Sequence, residues 1–313
     1  MADQQEPTPE FNQRCLDIIQ RWSSGGLLYE EAKQALAALG REAAGADRSV
    51  DQGRVEQLLG YMLGYRGRLN DAIYHYERAR ALYARVNNQR RMAICDLNMG
   101  EAYRFKGDFN RARSLFDRAS VTFSQVADLE SQAMAIGNRG QMLLSLGQVE
   151  AARADLLESR RLALQIPPGS LDRSGLLCEI HHALALLYLR SGDAESARRE
   201  ALAAYQIAQE VPQPLERGFA NRAIAELLTA GTALDDDFAH DPDHYYQAAN
   251  DAFREIHAEG EIARTMFMQA RSLARRGRRM TAARKLQLAM GIFSRLGMVD
   301  DAARAAEAQL EVI

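Results

Sequence analysis

The stretch Asn98–Ala119, NMGEAYRFKGDFNRARSLFDRA, decides how this chain is built. An apolar helix face runs up to Phe105, Lys106-Gly107-Asp108 breaks it, and a second helix carries Ala112, Phe116 and Ala119 on one side. Glycine ends the first helix because a left-handed backbone is cheap only without a Cβ. The unit is a helical hairpin, and it recurs in both directions. Its turn glycine reappears as Gly67, Gly107, Gly147, Gly192, Gly231 and Gly277, with gaps of 40, 40, 45, 39 and 46 residues. Seven residues upstream of each stands Gly60, Gly100, Gly140, Ala185, Ile224 or Ala270; five downstream of five of them stand Ala72, Ala112, Ala152, Ala197 and Ala282. Small residues at matched places are expected to face each other where two helices cross, since a large side chain there would overpack. Leu63 with Tyr76, and Tyr103 with Phe116, are expected to fill the space beside the crossing. A hairpin of this kind buries its apolar face on the next one, so a period of this size marks a solenoid.

Gly100, Tyr103, Ala112 and Phe116 give the chain its resemblance to the tetratricopeptide repeat family, which extends over roughly residues 54–296. Glu56 and Asp96 stand where that family has its leading Trp, the closing Pro is missing, and the period is about 40 rather than about 34. Longer second helices, ending near Val86, Val126, Ile166, Val211, Ile256 and Leu296, account for the longer period. The chain is similar to the long-repeat branch found in regulatory adaptors such as the spindle adaptor LGN and the bacterial Rap regulators. The resemblance implies an all-α fold: a right-handed superhelical solenoid of about six antiparallel helix pairs, with first helices lining a concave groove. It implies a non-catalytic interaction scaffold or regulatory adaptor that binds a partner peptide or helix in that groove. The alternative it allows is a ligand- or peptide-sensing regulator of a signalling or transcription partner.

Residues 1–9, polar and Pro-containing, are expected to be disordered. Residues 10–45 read as a divergent capping hairpin: a helix over 10–22 with Phe11, Cys15, Ile18, Ile19 and Trp22 on one face, a Ser23-Ser24-Gly25-Gly26 turn, and a helix over 29–41. Trp22 reads as an anchor of that cap rather than a ligand contact. The repeats occupy 46–296, lengthened by PPGSLDRSG after Ile166 and by TALDDDFAHDPD after Gly231. Residues 297–313 form a C-terminal capping helix whose outer face is charged or small.

Net charge is −3 and charged residues make up 26% of the chain, which disfavours nucleic acid as a partner. Three scattered cysteines, Cys15, Cys95 and Cys178, suit buried thiols in a reducing compartment. The start MADQQEPTPEF lacks a basic region followed by an apolar run, and no apolar stretch reaches spanning length, so no membrane role and a cytoplasmic setting are expected. Monomer, or a weak homodimer through an end helix, is the expected state.

Mapping exposed places on the first helices gives the candidate partner-binding residues. They are Tyr61 and Tyr65, with Gln57, in repeat one; Asn98, Glu101, Arg104 and Phe105 in repeat two; Asn138 and Gln141 in repeat three. Repeat four gives His182 and Arg190; repeats five and six give Asn221, Arg222, Arg264, Phe267, Arg271 and Arg275. Asn98 and Asn138 recur two residues before the small residue. Their amides can hold a peptide backbone through paired hydrogen bonds, or bond between helices. Tyr61, Tyr65 and Phe105 beside Arg104 would suit an acidic, partly apolar peptide. The arginines from Arg271 to Lys285 read as solvated surface before nucleic-acid contact. The carboxylates of the 235–244 insertion match no EF-hand spacing and read as an acidic loop. No nucleophile motif, phosphate loop or metal-ligand spacing is present, so no cofactor, no metal and no catalysis are expected.

Overall fold

The computed structural model describes residues 6–23, 26–168, 171–211, 213–235 and 237–312, without the side chains of 171 and 172. Every regular element among them is an α-helix. The chain divides into two compact units, Met1–Ala127 and Asp128–Ile313. The sequence pattern places no boundary at 127, because the repeat period runs through it unbroken.

The first unit contains α1 (Pro9–Ser23), α2 (Tyr29–Gly45), α3 (Ser49–Tyr65), α4 (Leu69–Arg85), α5 (Gln89–Phe105) and α6 (Phe109–Gln125). The second contains α7 (Leu129–Ser145), α8 (Val149–Ala163), α9 (Leu171–Ser191), α10 (Ala194–Glu210), α11 (Pro214–Thr229), α12 (Pro242–Glu255), α13 (Glu259–Arg275), α14 (Arg279–Arg295) and α15 (Val299–Val312). The period of 40 has a simple origin. Helices of 17 residues alternate with three-residue links, and the middle residue of each link is left-handed. At Gly67 the last turn closes with bonds from the Gly67 N–H to the Gly64 carbonyl and from the Arg68 N–H to the Leu63 carbonyl. The links between repeats use Asp47, Asn87, Ala127 and His257 in that conformation. Asn88, Asp108, Asp128 and Asp193 then cap the next helix by accepting the backbone N–H three residues on.

The helix crossings differ from the small-on-small arrangement expected. A Cβ on Gly60 would lie 2.7 Å from the Tyr76 ring, and one on Gly100 2.7 Å from the Phe116 ring. Gly60 and Gly100 each receive a ring from the partner helix, so Tyr76 and Phe116 fill the crossing itself; at Gly140 the Leu156 side chain takes that place, 2.9 Å from where a Cβ would lie. Glu56 and Asp96, at the places of the missing Trp, are buried carboxylates held by arginines. Glu56 pairs with Arg78 at 2.8 Å and His75 at 2.6 Å; Asp96 pairs with Arg80 at 2.8 Å and Arg118 at 2.7 Å. The polar pins join first and second helices where the family uses an indole.

Two flanks depart from expectation. From Glu6 on, the N-terminal segment expected to be disordered is packed: Pro7 is buried, the Thr8 N–H donates to Asp51 at 3.0 Å, and Glu6 pairs with Arg91. Residues 1–5, and Ser24 and Gly25 of the expected turn, lie outside the described residues. α9 begins at Leu171, within the PPGSLDRSG stretch read as a lengthened connection, because the prolines 167 and 168 end α8's turn without preventing a new start. The C-terminal helix has an outer face less polar than expected, with Val299 and Leu310 exposed. The three cysteines are free and buried; burial pushes the thiol pKa up to about 11 at Cys15 and about 12 at Cys95, and upward at Cys178.

Candidate partner-binding surfaces

In the first unit, α3 and α5 present the candidate side chains. The rings of Tyr61 and Tyr65, one helical turn apart, lie 4.8 Å from each other. Trp22, at the end of α1, sets its edge against both, at 6.4 Å from Tyr61 and 6.1 Å from Tyr65. The three rings form a shelf that is packed on one side and open on the other; Tyr61 keeps 38% of its surface. Trp22 therefore belongs to the surface as well as to the cap. Nothing local in the sequence reveals this, because its ring neighbours are far along the chain. On α5, Asn98 is half-buried and its amide has no hydrogen-bond partner among the described residues. Arg104 lies over the Phe105 ring at 4.5 Å and pairs with Glu101 at 3.4 Å, so its charge is partly taken up within α5. Gln57 does not join them: it is buried and accepts hydrogen bonds from the Tyr83 hydroxyl and Arg54, both at 3.3 Å.

In the second unit the mapped residues separate into two groups. His182 and Arg222 are corrections: both are buried, 6% and 3% exposed, and they face each other rather than solvent. Arg222 Nε donates to His182 Nε2 at 3.2 Å, its guanidinium pairs with Glu261 at 2.7 Å, and it lies over the rings of Phe219 and Phe253. Glu261 also pairs with Arg264 at 2.8 Å, which reaches Asp301 at 3.1 Å. Alternating charges thus tie α9, α11, α13 and α15 together. Burial and the adjacent Arg222 cation hold His182 well below its ordinary range. Burial favours a protonated Glu261, but Arg222 and Arg264 outweigh it and pull the group below the usual carboxylate range. Gln141 is likewise engaged, donating to Glu179 at 2.7 Å, and Asn221 donates to the Arg217 carbonyl at 2.7 Å. Spacing on a helix cannot distinguish an inward-facing polar residue from an outward-facing one when its ion partner comes from a later repeat.

Asn138, at the place of Asn98 in its repeat, is a further correction: it is 8% exposed, so it lies inside the packed helices rather than on an open face, with no hydrogen-bond partner among the described residues. The second group is open. Arg271 and Arg275 are exposed; Arg271 lies 5.8 Å over Phe267, and neither has a carboxylate partner among the described residues. Their neighbours Arg276 and Arg278 are neutralised by the acidic insertion, Arg276 by Asp241 and Asp243 and Arg278 by Asp243, at 2.9–3.0 Å. That insertion is a packed strap: Leu234 is buried, Phe238 stacks on Tyr205 at 5.3 Å, and the Ala239 N–H donates to the Tyr245 hydroxyl. Asp235, Asp241 and Asp243 of it pair with Arg198, Arg276 and Arg278.

Residues 51–125 match the tetratricopeptide repeat family. Among solved structures, the chain is similar to the apo form of RapI, at 10% identity over 92% of this chain and 98% of that one, with a TM-score of 0.66. It is similar also to a Rap protein complexed with competence and sporulation factor, at 14% identity over 97% of this chain and 84% of that one, with a TM-score of 0.61. At these identities the likeness is one of fold. No curated protein matches the chain. No helix among the described residues is long and apolar enough to cross a membrane.

Proposed function

Residues 51–125 being tetratricopeptide repeats, we propose that the protein is a non-catalytic adaptor that takes a partner peptide or helix on the faces of its first helices. The observation that carries this reading is in the first unit: the open shelf of Trp22, Tyr61 and Tyr65, and on α5 the amide of Asn98, which has no hydrogen-bond partner among the described residues. A side-chain amide presents one acceptor and two donors, the complement of an extended backbone. Rigid rings supply apolar area with little entropy lost on binding. A peptide laid along α5 would place its backbone on Asn98 and an apolar side chain on the shelf.

A second reading has a specific support. One structure of the same fold holds a competence and sporulation factor, so a regulator that senses a signal peptide and passes the change to a signalling partner is the alternative. In both readings the protein works in the cytoplasm, as a monomer or as a weak homodimer through the exposed Val299 and Leu310 of α15.

The test is selection of binders from a random peptide display library on the full chain, followed by fluorescence anisotropy on the winners. Asn98→Ala and Tyr65→Ala are each expected to weaken selected peptides by about tenfold, a loss of one good polar or stacking contact. Absence of any enriched peptide, or affinities that ignore both substitutions in folded protein, overturns the reading.

A further inference from the structure

The second unit holds most of its arginines in ion pairs. Arg222 and Arg264 go to Glu261, Arg304 to Asp300 and Asp301, and Arg276 and Arg278 to Asp241 and Asp243. Among the described residues five exposed arginines of this unit have no carboxylate partner: Arg279 and Arg284 on α14, and Arg190, Arg271 and Arg275 on the first helices α9 and α13; Arg190 donates only to the Leu144 carbonyl. The places of the last three in the repeat are matched. Arg190 on α9 and Arg275 on α13 each sit two residues before their turn glycine, Gly192 and Gly277, and Arg271 lies one helical turn before Arg275. The helix between them is α11, joined to α9 by the Arg222–His182 bond and to α13 by the Thr229–Ser272 hydroxyl bond at 2.7 Å. At the corresponding place α11 carries Thr229, short and uncharged. Glu226 lies in their field, and its Oε1 accepts a hydrogen bond from the Tyr246 hydroxyl.

We propose that Arg190, Arg271 and Arg275 form a recognition site for an acidic, extended segment of a partner protein, laid across α11 in the second unit. Adjacent helices pack roughly 8–10 Å apart, so α9 and α13 are separated by about twice that, and long arginine side chains narrow the gap. An extended strand advances about 3.3 Å per residue, so acidic residues at alternate positions would present carboxylates roughly 7 Å apart on one side. Such a spacing suits two clamps on either side of Thr229. Each guanidinium takes a carboxylate through two parallel hydrogen bonds, which a point charge does not supply. Nucleic acid fits less well. The neighbouring Arg276 and Arg278 are already neutralised, and Phe267 beside them lies under Arg271 rather than free to stack on a base. The site rests on the adaptor reading for its purpose, and it names the partner's chemistry.

The experiment uses the full chain and a fluorescein-labelled peptide of alternating glutamate and leucine, with its glutamine counterpart as control, read by anisotropy at low salt. The glutamate peptide is expected to bind at least about tenfold more tightly than the glutamine one. Replacing Arg190, Arg271 and Arg275 together by Ala is expected to remove that preference, with helicity checked by circular dichroism. The three Arg→Lys replacements, which keep charge and lose the fork, are expected to give a partial loss, and they are decisive if the alanine variant does not fold. Equal binding of the two peptides, or a preference unchanged by the replacements, overturns the proposal. Displacement of the peptide by oligothymidylate with the same dependence on the three arginines also overturns it, in favour of a nucleic-acid site. Asn98→Ala and Tyr65→Ala are expected to leave the glutamate preference intact, so failure here is separable from failure of the first-unit surface.

Discussion

At the scale of single residues, the polar side chains on first helices fall into those that hold the fold and those left open, and His182 marks the division. Its Nε2 accepts a hydrogen bond from Arg222, so the ring must be neutral; a proton there would set two donors against each other. The folded pKa lies well below the ordinary 6.5, so below about pH 6.5 the unfolded chain binds a proton that the folded chain refuses. Stability is therefore fully present above that pH and falls as pH drops beneath it, by up to about 1.4 kcal/mol per pH unit for one proton. Glu261 adds a loss of the same sign only below its ordinary 4.5, because its folded pKa is lowered. Urea midpoints measured between these two values read the histidine against Glu216 and Glu226, whose burial raises their pKa and works in the opposite direction, so the histidine's share is taken from its substitution. His182→Gln, which still accepts from Arg222, is expected to remove that share of the slope; a slope unchanged by the substitution would contradict the neutral-ring assignment.

At the scale of helices, the crossing of α5 on α6 shows what the small residues are for. Gly100 meets the edge of Phe116, fully buried and unable to retreat, so Gly100→Ala is expected to cost about 1–3 kcal/mol by overpacking. Trimming the ring should return most of it. The double variant Gly100→Ala, Phe116→Leu reproduces the pair found in the same register on α13 and α14, Ala270 with Leu286, both fully buried. Equilibrium urea denaturation reads both effects, and a double variant no more stable than Gly100→Ala would show that the crossing is not the source of strain. The sequence series at 60, 100 and 140 made the crossings legible. It did not show that a large side chain, a ring at 60 and 100 and Leu156 at 140, rather than a second small residue sits opposite, since that depends on the rotation of each helix about its axis.

At the scale of the whole molecule, two compact units with separate cores argue against a single all-or-none transition. The chain has one tryptophan, and Trp22 packs on Tyr61 and Tyr65, so its fluorescence reports the first unit alone. Helical circular dichroism reports both. The two signals are expected to change at different urea concentrations; coincident curves would mean that the units unfold together. The sequence by itself determined the all-helical hairpins, their period and their turns, because glycine placement, helix caps and apolar spacing act within one or two turns of chain. It also indicated Tyr61, Tyr65, Asn98, Arg271 and Arg275. Tertiary structure alone decided that His182 and Arg222 are buried pins, that Trp22 joins the aromatic shelf, and that the acidic insertion spends its charge on Arg276 and Arg278. Each of those outcomes depends on partners about 35 to 45 residues away, and a charge's role is set by what stands opposite it in space.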